Sequence, residues 1–284
     1  MRVALLAACV VLLLGPLTGA GGGAELQYPL SIAVSAEGTI FLADRNLPGV
    51  FRAKEGKLSV LFQASKRFRT PLNAVRCVAL DREGKLLAGD SAARNVFRFD
   101  DSGKPVPITK ETGGLGMIGI PMSVAVDSQG TIFASDLEIQ RIVKVPAGSD
   151  QPVEVAEIAG CRGLFIDSQD RLWVVSTTQN QLHRIAPDGT KEVIVPGRPF
   201  QFPHTVVVAA DGTAYVCDGY AKAIWKVVAG SEPTKLVEGG PFQNPVGLAL
   251  QGDRLWVADP RVPGVFQVDF AGQVTPIPLQ AADE

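Results

Sequence analysis

The chain has 284 residues, with 27 Lys and Arg against 29 Asp and Glu, two His, four Cys, 30 Gly and 20 Pro. Two histidines exclude a site built on three histidine ligands, and the near-balanced charge lacks the basic excess of a dedicated nucleic-acid binder. At 46% hydrophobic residues the chain is neither disordered nor collagen-like, and it is long enough to bury a sizeable core.

The first element is an address. Met1-Arg2 precedes an apolar run from Val3 to Leu14, and small residues follow through Gly19-Ala20. A basic start, a short apolar stretch and small residues at a cleavage point predict a secretory signal peptide over residues 1–24. The run falls short of the ~20 apolar residues that span a bilayer, and no second run follows. The mature chain, 25–284, is therefore expected to be extracytoplasmic, periplasmic or secreted, with no stable membrane insertion.

Everything after Gln27 repeats, roughly every 40–46 residues. One apolar column reads Ile32-Ala33-Val34, Val78-Ala79-Leu80, Val124-Ala125-Val126, Leu164-Phe165-Ile166, Val206-Val207-Val208 and Leu248-Ala249-Leu250. A second ends in an acid: Asp44, Asp90, Asp136, then Ser176 in the fourth repeat, Asp218 and Asp259. A third runs through Phe51-Arg52, Phe97-Arg98, Val143-Lys144, His183-Arg184, Trp225-Lys226 and Phe266-Gln267. A weaker fourth includes Val60-Leu61 and Val274-Thr275. Short segments rich in β-branched and aromatic residues, bounded by Gly turns, read as strands. Four strands per unit, six units and no helical periodicity predict an all-β, six-bladed β-propeller of four-stranded antiparallel blades. Glu25–Gln27, beside Val274–Ile277, is a candidate for closing the ring.

The recurring phrase of Pro, small residue, apolar strand, Gly turn and aromatic strand ending in Asp is clear in Pro121-Met122-Ser123-Val124-Ala125-Val126-Asp127 through Asp136. It recurs in Pro245-Val246-Gly247 through Asp259. Over nearly the whole mature chain this pattern resembles the NHL-repeat type of propeller, a resemblance that speaks to fold more than to activity.

Strand one starts and strand two ends on one face, so the loops there crowd around the central channel. Just before the small residue that opens strand one stand Leu30, Arg76, Met122, Arg162, His204 and Val246. This rim is the expected ligand-binding site, its guanidiniums offering forked donors to a carboxylate or phosphate. The acidic column (Asp44, Asp90, Asp136, Asp218, Asp259) is read as structural, each Asp holding the backbone of a turn. Lys66-Arg67-Phe68-Arg69 is a basic loop patch, and the phenylalanines of Pro199–Pro203 and Pro241–Pro245 either plug between blades or form a ligand wall. Gly114–Gly119 matches G-x-G-x-x-G, yet a strand rather than a helix follows, so it is read as a flexible loop. Cys77, Cys161 and Cys217 lack metal spacing and are expected to be buried thiols. His183 sits in an aromatic column and reads as packing.

A second resemblance, to gluconolactonase-type (senescence-marker-protein-like) propellers, implies lactone hydrolysis at a divalent metal held by a Glu, two Asn and an Asp. The rim column holds none of these, and Asn73 and Asn244 lie nearby but outside it. The leading expectation is thus a binding protein without cofactor or metal, whose partner is a small anionic ligand or another extracytoplasmic protein, not nucleic acid. A metal-dependent hydrolase and a purely structural scaffold are the alternatives.

Overall fold

The computed structural model describes residues 24–65, 67 and 70–282. Residues 1–23 of the predicted signal segment and most of the basic patch (Lys66, Phe68, Arg69) lie outside the described residues. Six blades of four antiparallel strands, the first extended by a short fifth strand, stand around one axis, and no helix occurs among the described residues. No helix there is long and apolar enough to cross a membrane. The innermost strands are Pro29–Val34, Val75–Leu80, Pro121–Val126, Cys161–Ile166, Pro203–Val208 and Gly247–Gln251, each packed against the next around the ring.

The core is not one mass but six layers, each between two neighbouring blades. Ala43, Val50, Leu72, Val78 and Phe97 fill the seam between blades 1 and 2, and Leu42, Phe51, Trp256 and Val265 that between blades 6 and 1. Alternation along each strand sends successive side chains to opposite seams, which is why the inner strands read as unbroken apolar runs.

The candidate pairing of Glu25–Gln27 beside Val274–Ile277 does not form. Gln280–Ala281 runs parallel to the outer strand Lys57–Gln63 of blade 1, aligning Gln280 with Lys57 and Ala281 with Leu58. The Glu25–Gln27 segment forms no strand. Asp44 captures it instead, its Oδ2 accepting the backbone N–H of Gln27 and of Tyr28 at 2.8 Å each, while Leu26 is buried in the seam between blades 6 and 1.

Close approach of inner strands explains the small residue that opens each repeat: Ser31, Cys77, Ser123, Gly163, Thr205 and Gly247. Ser31 Oγ accepts from Val78 N (3.1 Å), Ser123 Oγ accepts from Leu164 N (3.0 Å), and Thr205 Oγ1 donates to Val246 O (2.7 Å). At Gly163 an added Cβ would stand 2.6 Å from Thr205 Cα and 2.7 Å from His204 O. Both are backbone atoms that cannot swing aside. Gly163→Ala should therefore cost about 1–3 kcal/mol and lower Tm by about 3–10 °C, checked by thermal unfolding.

Two loops depart from simple expectation. The Gly114–Gly119 loop is tied down rather than flexible: Gly116 N donates to Ala93 O (2.8 Å), Ile118 N to Arg94 O (2.9 Å), and Ile118 is fully buried. In blade 4 the first hairpin turn carries Asp170 at φ 55°, where other blades place Gly. Its carboxylate accepts from Ser128 N and from Arg82 Nη2, both at 2.9 Å, so three hairpins are joined on the face away from the rim. A left-handed Asp costs about 1 kcal/mol, which these bonds offset.

Candidate functional site at the channel mouth

Strand one of most blades begins with a β-bulge, and the bulge falls on the rim residue. The register skips between Pro29 and Ser31, Val75 and Cys77, Cys161 and Leu164, and Pro203 and Thr205. In blade 3 Ser135 pairs with Ser123 and Asp136 with Pro121, which leaves out Met122. Leu30, Arg76, Met122, Arg162 and His204 are thus freed from the pairing that aligns the rest of each strand, as bulges do where a side chain is re-aimed. All five, with Val246, line a cavity of about 430 Å³ at the centre of the ring.

Tyr28, Arg45 and Asn244 line the same cavity and were not among the expected rim residues. Arg45 directly follows the acidic column in blade 1, and its counterparts in blades 2 and 5, Ser91 and Gly219, touch rim residues. Reading that column would have found it. Ser91 Oγ accepts a 2.8 Å hydrogen bond from Arg76 Nε, and an added Cβ at Gly219 would meet Asn244 Oδ1 at 2.3 Å and His204 Nε2 at 3.0 Å. Asn73 is turned away, its amide donating to Ser65 O.

The mouth is electrostatically one-sided. Among the described residues none of Arg45, Arg76 and Arg162 has a carboxylate within 4 Å, although most other arginines do. Burial and then the charge of Arg45 lower the pKa of Arg76, with Asp90 opposing. Burial likewise lowers that of Arg162, to which Arg76 adds a smaller repulsion. Arg162 Nε is buried with no hydrogen-bond partner, and its guanidinium lies 4.6 Å over the ring of Phe202. These cations repel one another in a partly dry site, an arrangement an anion would relieve.

His204 stands beside them. Burial and then Arg162 push its pKa from 6.5 down to about 3, so the folded ring is neutral where an unfolded chain would begin to take a proton. Because the unfolded state binds the extra proton, the stability from this group is complete above pH 6.5 and is lost as pH falls towards 3. The His204 imidazole NMR shifts should stay constant over about pH 5–8. A midpoint near the ordinary histidine value would overturn that assignment.

The acidic column clamps loops rather than facing a ligand. Asp44, Asp90, Asp136, Asp218 and Asp259 are almost wholly buried, and each accepts backbone N–H bonds both from the loop ahead of its own blade and from the turn behind it. In blade 4 Ser176 Oγ does part of this, bonding Ala159 O (2.7 Å) and Thr178 N (3.1 Å). Phe200 and Phe242 are buried plugs, whereas Phe202 stands at the mouth. His183 is buried in blade 4. The three described cysteines are free and buried, and burial pushes their thiols up to about 12.

No family model matches the chain, and no curated protein matches it. Solved structures do. A virginiamycin B lyase from Staphylococcus aureus aligns with TM-score 0.67 and 17% identity, over 89% of this chain and 85% of that one. A gluconolactonase from Xanthomonas campestris aligns with TM-score 0.67 and 16% identity, over 83% and 84%. A chain of a nidogen/laminin complex aligns with TM-score 0.65 and 17% identity, over 86% and 89%. The protein is a six-bladed β-propeller related in fold to these, and at such identity the likeness is one of fold alone.

A gluconolactonase-like metal does not fit this rim. Hard divalent ions require oxygen donors. Here the rim column presents two guanidiniums, an imidazole and three apolar side chains, and among the described residues no Asp or Glu lines the cavity.

Proposed function

We propose that the mature chain is an extracytoplasmic binding propeller, NHL-like in its repeats, that holds a small oxyanion at the channel mouth. The observation that carries this reading is the group of three arginines, Arg45, Arg76 and Arg162, gathered around one cavity without acidic partners within 4 Å. Forked guanidinium donors suit carboxylate and phosphate, and the low local dielectric strengthens each contact. The His204 imidazole, pushed down to about 3, is a weak base, which favours holding a ligand over abstracting a proton from it. The likeness in fold to enzymes and to a chain of a nidogen/laminin complex leaves both catalysis and binding open to the scaffold, so the mouth's chemistry decides.

The test is calorimetry with inorganic phosphate and benzoate at two salt concentrations, with native mass spectrometry before and after a chelator. Saturable 1:1 binding that weakens with salt is the expected result. A stoichiometric, chelator-sensitive metal would favour the hydrolase alternative, and no binding of either anion would overturn the proposal.

A further inference from the structure

The anion reading leaves one feature of the mouth unused, an aromatic lip on blade 5. Phe202 touches three groups: the Arg162 guanidinium at 4.6 Å, the His204 ring edge-on at 5.0 Å, and the Tyr220 ring stacked at 4.7 Å with 20° between planes. Tyr220 is 67% exposed, the most exposed large hydrophobic side chain among the described residues. It stands on a rigid turn rather than a loose one. Asp218 Oδ1 accepts from Phe202 N (2.9 Å) and from Ala221 N (3.1 Å), which fixes the backbone next to Tyr220 and under its stacking partner together. Gly219 beside it has no side chain, so the turn can close on Asn244 and His204. A large aromatic surface held in water by a rigid backbone contributes nothing to the core, but it offers a ring face for stacking.

Its position matters. Blade 5 lies across the ring from blade 2, which carries Arg76, while Arg45 is on blade 1. The mouth therefore has a cationic side and an aromatic side, bridged by Arg162 against Phe202. The cavity of about 430 Å³ exceeds what a bare phosphate or carboxylate fills and falls in the small-molecule range.

Resting on the anion reading above, we infer that the ligand is an aryl oxyanion, its acidic group among Arg45, Arg76 and Arg162 and its ring against the Tyr220–Phe202 lip. The experiment compares inorganic phosphate, phenyl phosphate, cyclohexyl phosphate and benzoate on the mature wild-type protein and on Tyr220→Ser, whose exposed position should leave the fold intact, as circular dichroism checks. Phenyl phosphate should bind about tenfold tighter than inorganic phosphate, the gain expected from one stacked ring. In Tyr220→Ser that gain should vanish while inorganic phosphate binds as before. Comparing phenyl phosphate with benzoate tells an aryl phosphate from an aryl carboxylate, either of which satisfies the inference. It is overturned if phenyl phosphate gains nothing over phosphate, if cyclohexyl phosphate gains as much, or if Tyr220→Ser weakens phosphate and phenyl phosphate alike. Failure of every anion to bind would instead sink the anion site itself, and the aryl assignment with it.

Discussion

Replacing Arg76 and Arg162 together with alanine is expected to weaken oxyanion binding by about a hundredfold or more, since each charge-assisted contact contributes ~1.5–3 kcal/mol. The same variant should stay folded. Arg76 gives up one hydrogen bond to Ser91, Arg162 gives up its contact with Phe202, and both losses are offset by relief of like-charge repulsion in a partly buried site. Calorimetry and thermal unfolding on one preparation separate the two effects. Unchanged anion affinity with an intact fold would remove the rim arginines from any binding role.

The second large effect falls on stability. Asp218 is fully buried, and its carboxylate accepts from Gln201 N (2.7 Å), Phe202 N (2.9 Å) and Ala221 N (3.1 Å). Asp218→Ala leaves three amide donors unpaired, at about 3–5 kcal/mol overall once partial rehydration is allowed for. Asp218→Asn keeps one acceptor oxygen and should lose about half as much. Ser176→Ala, at the matching position of blade 4, removes a neutral hydroxyl and should cost about 1 kcal/mol. Chemical unfolding of the three variants checks the order, and equal losses would show that the acidic column does not clamp the loops as described.

The architecture was legible because a propeller is periodic. Each blade repeats the same burial problem, so the apolar triplets, turn glycines and terminal acids mark strands and seams six times over. The rim was half legible. Its column could be aligned, but the bulges that aim Arg76, Arg162 and His204 into the channel come from pairing between strands, which one strand's sequence does not display. Arg45 and Tyr220 were missed, and Asn244 was placed near the rim but outside it, because all three belong to loops rather than to the aligned column. Their neighbours in space are set by Asp44, Asp218 and Asp259 acting on backbone some 16 residues away. Ring closure was not legible for the same reason: Gln27 and Tyr28 give their amides to Asp44, and the strand added to blade 1 is Gln280–Ala281.

The hydroxyls of the inner ring divide six similar blades into three couples. Ser31 ties blade 1 to blade 2, Ser123 ties 3 to 4, and Thr205 ties 5 to 6, while the Cys77 thiol reaches Pro121 O (3.5 Å) between 2 and 3 and the Gln251 amide reaches Ser35 O (2.8 Å) between 6 and 1. Mechanically the barrel is a three-stave cask whose staves are fastened within themselves by hydroxyls near the mouth and held to one another by other bonds. Arg76, Arg162 and the Phe202–Tyr220 lip sit on three different staves. A molecule grasped by all of them would act as a hoop, joining boundaries that the inner-ring hydroxyls leave unlaced, and occupancy of the mouth would then be felt as stiffness around the whole circumference.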